Sequence, residues 1–315
     1  MSRKHPVIVV TGSSGAGTTT AKRALENIIR REFQRDCAKK DCVKVAIVEG
    51  DSMHSLNRME FRAAVAEAAK AGNHSFSHFG PEANHFDKIE ETFKTFGETG
   101  TCKRRYYIHS DDEAKELNAR LGTNLGPGQF TPWEDIPEGC NILFYEGLHG
   151  MVKTDAVDVT KYVDLSIGVV PVVNLEWIQK IHRDAEERGY TAEATVDTIL
   201  RRMPDYVNFI TPQFSLTDIN FQRVATVDTS NPFIARDIPT ADESFVVIRF
   251  RKPKGVDFPY LLNMIHDSFM SRSNTIVVPG GKMSLAMELI LTPLMHNLIE
   301  NRNKEFAVKR ASGNS

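Results

Sequence analysis

A glycine-rich stretch near the N-terminus, PVIVVTGSSGAGTTT at residues 6–20, holds the residue types that bind phosphate. Its four consecutive apolar residues predict a buried strand, after which the chain turns into the start of a helix. The spacing Gly12-x4-Gly17-Thr18-Thr19 fits the phosphate-loop motif G-x-x-x-x-G-K-[ST], except that Thr18 stands in place of the lysine. Backbone N–H groups of such a loop point at phosphate oxygens, and Thr19 or the next threonine offers a hydroxyl to Mg²⁺.

This motif predicts nucleotide binding by a run of consecutive residues: Gly12, Ser13, Ser14, Gly15, Ala16, Gly17, Thr18, Thr19 and Thr20. The alternative is a glycine-rich turn that precedes an ordinary helix. Because the loop carries no lysine, it can cradle phosphate but cannot neutralise its charge alone. We therefore expect another cation of the chain to reach the same phosphates.

A second polar cluster follows the predicted buried strand at residues 43–48. In open α/β sheets, ligands bind beyond the carboxyl ends of the strands, beside the phosphate loop. Asp51 is therefore a candidate general base, and His54 and Arg58 are candidates for gripping substrate oxygens or phosphate. The alternative makes Asp51 a helix cap and Arg58 a solvated surface charge.

Residues 141–145, NILFY, predict a further core strand, which is followed directly by Glu146. An acidic residue in this position is the usual second partner of a phosphate loop and holds Mg²⁺ directly or through water. We therefore predict Thr19 and Glu146 as the metal-binding residues.

A charged helix is predicted after the strand at 165–170, with Asn174 as its N-cap and Gly189 just beyond its end. One face of this helix carries Lys180, Arg183, Asp184, Glu187 and Arg188. The other face carries Leu175, Ile178, Ile181 and Ala185. The charged face is either a solvated surface with i,i+4 ion pairs or the source of the cation that the loop lacks.

Histidines are frequent between these motifs, but their spacing matches no metal-ligand pattern, so we predict polar loop residues at His74, His78, His85 and His109. Residues 101–129 mix dense charge with glycine and proline, which is typical of a mobile surface segment such as a lid. Beyond the charged helix, the pattern predicts strands at 223–227, 245–250 and 275–278, and helices at 193–203, 260–269 and 285–299.

The composition narrows the class of protein. The chain has 315 residues, 41% of them hydrophobic, and a formal net charge of −2, so it can bury a large core as one extended α/β domain or two smaller ones. The small charge indicates no nucleic-acid or membrane partner. The four cysteines, Cys37, Cys42, Cys102 and Cys140, lack CxxC spacing and predict free thiols in a reducing compartment. No apolar run approaches the ~20 residues that span a bilayer, so we expect a soluble, cytoplasmic protein with small-molecule partners.

Longer strings carry a family resemblance that extends to about residue 301. They are GSSGAGT, EGDSMH with the following Asn57 and Arg58, LFYEGLHG, IGVVPVVNLEWIQKIHRD, TDINFQRV, DTSNPFIAR and IPTADES. The sequence resembles phosphoribulokinases of the bacterial, short-loop class, in which the phosphate loop also lacks its lysine.

The resemblance implies a single domain over residues 1–303 and a polar, disordered tail at 304–315. The implied fold is α/β, a P-loop kinase of nucleoside-monophosphate-kinase-like type with a mixed sheet of about seven strands flanked by helices. The implied reaction transfers the γ-phosphoryl group of ATP, with Mg²⁺, to the C1 hydroxyl of D-ribulose 5-phosphate. Its product, ribulose 1,5-bisphosphate, is the carbon dioxide acceptor of the Calvin cycle.

The resemblance also assigns roles position by position. It implies Asp51 as the base, Asp184 as a second essential carboxylate, Lys180 as the surrogate cation, and Arg183 beside them. It implies substrate binding by His54, Asn57, Arg58 and Arg188, and Mg²⁺ binding by Glu146.

Members of the class it resembles are homo-octamers that NADH activates and AMP inhibits, with arginines of neighbouring subunits in the effector site. Arg31, Arg249 and Arg272 stand at the matching positions. Plant-type members carry a redox-regulated cysteine where this chain has Ala16, so we expect no thiol control of that kind.

Two other functions fit parts of the sequence. A uridine or pantothenate kinase shares the loop and the fold, but we would expect it to have Gly-Lys-Thr and to lack the anion grips at Arg58 and Arg188. A regulatory protein that binds ATP without turnover would be expected to have lost Asp51 or Asp184, and both are present.

Overall fold

The computed structural model describes residues 5–13, 18–33 and 43–311, apart from the side chains of residues 18–19, 187–188 and 306–311. Its strands, in chain order, are β1 Val7–Thr11, β2 Val45–Glu49, β3 Lys103–Arg104, β4 Glu134–Asp135, β5 Ile142–Gly147, β6 Leu165–Val170, β7 Ile219–Ala225, β8 Ser244–Phe250, β9 Phe269–Arg272 and β10 Thr275–Pro279. The strands β3 and β4 pair as a separate ribbon, and the others form one eight-stranded sheet in the order β2-β5-β1-β6-β7-β8-β10-β9. The described residues therefore place one strand more in the main sheet than the predicted seven.

Helices cover this sheet. They are α1 Thr18–Ile28, α2 Arg58–Lys70, α3 Phe86–Thr99, α4 Asp111–Leu121, α5 Val173–Arg188, α6 Ala192–Asp205, α7 Phe258–Met264 and α8 Met283–Ala311. The strands β2, β5, β1, β6 and β7 run parallel, whereas β8, β10 and β9 follow in antiparallel order. The carboxyl ends of the parallel strands meet at one edge, where an open α/β sheet binds its ligands.

Both faces of the parallel half are buried, as continuous apolar strands require. Alternate residues of β1 point to opposite layers: Ile8 and Val10 pack with α1 and α8, and Val7 and Val9 pack with α3. Burial of a large apolar side chain stabilises a fold by about 1.5–3 kcal/mol, so these two layers hold the sheet that carries the site.

The antiparallel half has a helical layer on one face only. Ile248 of β8 is buried against α8, whereas its neighbour Phe245 is 38% exposed and Phe269 of β9 is 51% exposed. We call Phe245, Val247, Arg249 and Phe269 the open sheet face, because strand register places them on the side away from α8. The 3₁₀ helix Thr211–Ser215 reaches the border of this face, where Arg249 Nη2 donates to the Phe214 carbonyl at 3.2 Å, while Phe245 and Phe269 stay exposed.

The segment at 72–129, predicted as loop and lid, contains two helices. The apolar residues Phe86, Ile89, Phe93 and Phe96 of α3 are spaced three or four apart and are buried, which is the pattern of a core-facing helix. Capping explains α4, because Ser110 Oγ accepts a hydrogen bond from a backbone N–H at its start and Gly122 ends it with φ of 68°. Because the segment is rich in histidine and charged residues, it was predicted as loop, and neither the apolar spacing of α3 nor the caps of α4 were recognised in the sequence.

Other element boundaries also differ from prediction. The N-cap of α5 is Val172 rather than Asn174, β7 begins four residues before the predicted 223–227, and β9 was not predicted. The last helix continues to Ala311 with Pro293 inside it, so residues 304–311, predicted as tail, are helical. Good helix formers such as Lys, Glu and Ala fill this extension.

Cys102 and Cys140 are buried free thiols, as predicted, whereas Cys37 and Cys42 lie outside the described residues. Among the described helices, none combines the length and the apolarity that crossing a lipid bilayer demands.

Candidate active site

The phosphate loop follows β1 and leads into α1, which confirms the predicted strand and helix on its two sides. The Gly12 N–H donates to the Gly147 carbonyl at 3.3 Å, which ties the loop to the end of β5. Ser13 is fully buried beside it. The middle of the loop, 14–17, lies outside the described residues, as do the side chains of Thr18 and Thr19, so the predicted metal contact of Thr19 stays a prediction.

A 3₁₀ turn, Gly50–Met53, carries Asp51 at the carboxyl end of β2. A Cβ added at Gly50 would lie 2.7 Å from Gly147 Cα, so only glycine permits this close approach of the two backbones. Glu146 lies on β5 opposite Glu49 at the same sheet edge. Asp51 and Glu146 are therefore delivered to one edge by neighbouring parallel strands, as predicted.

Histidines surround the Asp51 carboxylate, whose side chain is 46% exposed. His54 Nε2 lies 3.5 Å from one carboxylate oxygen, and His109 Nε2 lies 3.7 Å from the other. Burial opposes ionisation of Asp51, but the hydrogen bond and charge of His54, with the charges of His109 and His78, outweigh it and hold the Asp51 pKa below its ordinary value. Asp51 is thus an ionised acceptor at neutral pH.

A hydrogen-bonded wall fixes His54 in place. Its Nδ1 lies 2.7 Å from Asn84 Oδ1, and the Asn84 amide donates to the His78 carbonyl at 2.8 Å. The His78 ring stacks on Phe61 with a 3.5 Å centroid separation, and burial lowers the His78 pKa well below its ordinary value. His78 and His109 are loop residues, as predicted, and they also line the Asp51 site.

The next residues start α2. Asn57 caps the helix, with its Oδ1 accepting from Met59 N at 2.9 Å and Glu60 N at 3.0 Å. Arg58, the first helical residue, donates its backbone N–H to the Gly128 carbonyl at 2.9 Å. Its side chain is exposed and available to an anion. The cap thus belongs to Asn57, and the predicted alternative that made Asp51 the cap of this helix is wrong.

Two central residues of the charged face of α5, Lys180 and Asp184, are buried, which rules out the predicted alternative of a solvated surface for them. Lys180 and Asp184 are both buried and form a short ion pair, and Arg183 Nη2 lies 3.2 Å from the other Asp184 oxygen. Burial lowers the Lys180 pKa to about 8, with the charge of Arg202 acting in the same direction and Asp184 opposing both. Ala185, predicted on the apolar face, is exposed.

Sequence analysis did not single out Glu176, a buried carboxyl in the first turn of α5. Tyr206 donates its hydroxyl to Glu176 Oε2 at 3.3 Å, and the hydroxyl of Ser13 faces the same carboxyl. Burial raises the Glu176 pKa. Its spacing of four residues from Lys180 and eight from Asp184 was the available signal, since such residues share one stripe of a helix. The hydrogen bond from Tyr206 therefore ties the first turn of α5 to the residue that follows α6.

The three predicted effector arginines do not meet in one chain. Arg249 and Arg272 flank Thr275 in neighbouring strands and are both exposed. Arg31 instead forms a 2.7 Å ion pair with Glu288 of α8, in the helical layer on the opposite side of the sheet. The side chain of Arg188 is not among those described.

A glycine loop between a parallel strand and a helix, an ionised carboxylate beyond another parallel strand of the same sheet and a buried lysine define an ATP-dependent phosphotransferase of the P-loop class. The chain belongs to the Phosphoribulokinase / Uridine kinase family, whose model matches residues 7–230.

The chain is similar along nearly its whole length to curated phosphoribulokinases. It is 59% identical to that of Nitrobacter vulgaris over 96% of this chain and 100% of the relative. It is 57% identical to the chromosomal phosphoribulokinase of Cupriavidus necator over 96% of this chain and 99% of the relative. A solved phosphoribulokinase from Rhodobacter spheroides superposes with a TM-score of 0.83 at 53% identity, covering 95% of this chain and 99% of that one.

Proposed function

We propose that this protein transfers the γ-phosphoryl group of ATP to the C1 hydroxyl of D-ribulose 5-phosphate, giving ADP and the ribulose 1,5-bisphosphate used for carbon dioxide fixation in the Calvin cycle. The observation that carries the proposal is the 59% identity to a phosphoribulokinase over that relative's full length. The site chemistry supports it, because an ionised carboxylate and a buried cation are the groups that phosphoryl transfer to a hydroxyl requires.

In the proposed reaction, Asp51 accepts the proton of the attacking C1 hydroxyl while His54 and His109 orient its carboxylate. Lys180 neutralises charge that develops on the transferring phosphoryl group, in place of the missing loop lysine. Asp184 holds that lysine through the ion pair between them, and Arg183 contacts the other oxygen of Asp184. The residues proposed to bind the sugar phosphate are His54, Asn57, Arg58 and Arg188.

ATP is the phosphoryl donor, and Mg²⁺ is its metal. The donor set fits this ion, because Mg²⁺ is usually held by one or two carboxylates together with substrate phosphates, and Glu146 supplies a carboxylate at the sheet edge. We propose the Thr19 hydroxyl as the second protein ligand. The ion supplies neutralisation of the β- and γ-phosphates.

A coupled assay of ADP release tests the acceptor. Turnover is expected with ribulose 5-phosphate and not with uridine, the acceptor of the other enzymes in the family's name. Free D-ribulose is the matched control, because it keeps the C1 hydroxyl and lacks the phosphate that Arg58 would grip. Turnover with uridine alone would replace the proposal with the rival kinase.

We also propose that NADH activates and AMP inhibits the enzyme, which assembles as a homo-octamer. The separation of Arg31 from Arg249 and Arg272 supports a site shared between subunits, and the open sheet face supplies apolar surface for contact between copies. Light scattering measures the assembly, and Arg249→Ala is expected to lose NADH activation while keeping basal turnover.

The proposed domain spans residues 1–303, and the proposed location is the cytoplasm. Two observations support these assignments: one continuous sheet joins strands from Val7 to Pro279, and the described cysteines are free thiols, as a reducing compartment favours.

A further inference from the structure

Arg105 makes two hydrogen bonds to the turn that carries Asp51. Its Nε donates to the Ser52 carbonyl at 2.8 Å, and its Nη2 donates to the His54 carbonyl at 2.5 Å. These carbonyls belong to the residues on either side of Met53, at the end of the 3₁₀ turn. The Arg105 guanidinium thus restrains the backbone of the turn immediately after Asp51, the proposed base.

Two aromatic rings hold the fork in its orientation. The Arg105 guanidinium carbon lies 3.8 Å from the Phe130 ring centroid and 4.7 Å from that of Trp133. A planar guanidinium stacked in this way loses little further freedom when it forms its hydrogen bonds. Burial lowers the Arg105 pKa to about 10, so the group is still charged at neutral pH.

The segment that begins with Arg105 also completes the site. Ile108 N–H donates to the Gln129 carbonyl at 2.9 Å, and Gly128 N–H donates to the Ile108 carbonyl at 2.7 Å, so the two ends of the segment pair. This pairing sets His109 3.7 Å from Asp51 and Gly128 against Arg58. Arg105 is the first residue of this segment, and it contacts the Asp51 turn through the Ser52 and His54 carbonyls.

The neighbouring basic residues have different partners. Lys103 Nζ lies 3.0 Å from Asp135 Oδ1, and Arg104 Nε lies 3.2 Å from Glu134 Oε1, both on β4. Arg104 is half-buried like Arg105, but its bonds only close the ribbon. It is therefore a matched control for Arg105.

We propose that Arg105 is a positioning residue for Asp51: its fork on the Ser52 and His54 carbonyls sets the geometry of the turn that carries the base, which accepts the proton of the attacking acceptor hydroxyl. Arg105 acts through its hydrogen bonds to this turn. The inference rests on the role of Asp51 in the proposed function. A misplacement of about 1 Å in such a group can lower a rate by about 10²-fold.

The test compares Arg105→Met with Arg104→Met in the full-length enzyme, measuring kcat, both Michaelis constants and the thermal midpoint. Arg105→Met is expected to lose about 10–10²-fold in kcat, with the Michaelis constant for ATP within about twofold. Arg104→Met is expected to keep kcat within about threefold. Arg105→Lys keeps the charge and the stem but not the fork, so its kcat is expected to fall in between.

Chemical rescue separates positioning from folding. Methylguanidine is expected to restore part of the kcat of Arg105→Ala and to leave Arg104→Ala unchanged, because only the first cavity faces the catalytic turn. Equal kcat losses in the Arg104 and Arg105 variants, or an Arg105→Met enzyme within threefold of wild type, would overturn the inference. If Arg105→Met does not fold, full turnover by Arg105→Lys overturns it instead. Absence of wild-type turnover with ribulose 5-phosphate would count against the proposed function, which is measured first.

Discussion

Asp51 and Asp184 are the two carboxylates predicted to be catalytic, yet their surroundings are opposite. The Asp51 side chain is 46% exposed and its nearest ionisable neighbours are the imidazole rings of His54 and His109, whereas the Asp184 side chain is 3% exposed and lies between Lys180 and Arg183. A buried paired carboxylate cannot leave its cations without a cost of about 3–5 kcal/mol. This difference supports the proposal that Asp51 accepts the substrate proton, whereas the proposed role of Asp184 is to hold the cations beside it.

The largest effect expected is from Asp51→Asn, because the amide cannot accept the hydroxyl proton. It should lower kcat by about 10²–10⁴-fold while ATP still binds, measured by steady-state kinetics and by nucleotide titration. Asp112→Asn, an exposed carboxylate of α4, is the control and should be neutral. An Asp51→Asn enzyme within threefold of wild type would transfer the role of base to another group.

Lys180→Met should lower kcat by about 10²–10³-fold with little change in the Michaelis constant for ATP, since the ammonium acts chiefly on charge formed in the transition state. Lys180→Arg should recover little, because a planar fork does not replace a compact charge. Lys115→Met on the exposed face of α4 is the control.

Near-normal turnover by Lys180→Met would refute the surrogate-lysine assignment. Arg183 would then be the next candidate for the cation, because the contacts of Lys103, Arg104 and Arg105 go to β4 and to the Asp51 turn. Thr18→Lys in the Lys180→Met background is the complementary test, since it restores a cation at the standard position of the loop.

Arg58→Ala should raise the Michaelis constant for ribulose 5-phosphate by roughly tenfold or more, because a guanidinium grips phosphate equally in the ground and transition states. Arg188→Ala is expected to behave alike. Arg62→Ala, one turn further along α2 and also exposed, should leave that constant unchanged. If kcat alone fell, Arg58 would be reassigned to the transferring phosphoryl group.

The smallest effect expected is on pH dependence. With a pKa of about 8, Lys180 is charged below this pH and neutral above it, so kcat/KM for ATP should fall by about tenfold per pH unit above pH 8. Asp184 raises the Lys180 pKa, so Asp184→Asn should move this alkaline limb to lower pH. Asp51→Asn should leave it in place. If kcat/KM for ATP falls at the same alkaline pH in Asp184→Asn as in wild type, the proposed difference in role between Asp51 and Asp184 is contradicted.

Local patterns were enough to predict much of the fold and part of the site. Apolar runs predicted β1, β5 and β6 to within two residues, and β6 matches residue for residue. Asp51 and Glu146 were found because a strand end is a local signal. Lys180 and Asp184 were found from helical spacing, although that spacing alone could not tell whether their face was buried.

Long-range contacts explain what was missed. His109 reaches Asp51 only because Gly128 and Ile108 pair across the segment, and no local period encodes that pairing. Arg105 looked like one of three surface charges, and its aromatic neighbours come from residues far along the chain. Glu176 differs from His109 and Arg105, because its spacing from Lys180 and Asp184 already placed all three on one stripe of the predicted helix.

The edge strand β9 has a consequence for solubility. A sheet that ends in a long, flat strand offers unpaired backbone groups to other chains and invites fibre growth. Here β9 has four residues, and its register with β10 shifts between Thr275 and Ile276. The exposed Arg272 stands at its end. Because the edge strand β9 is short and irregular, it disfavours the repeated addition of strands from other chains. The exposed apolar side chains beside it stay available for a defined contact with another protein surface.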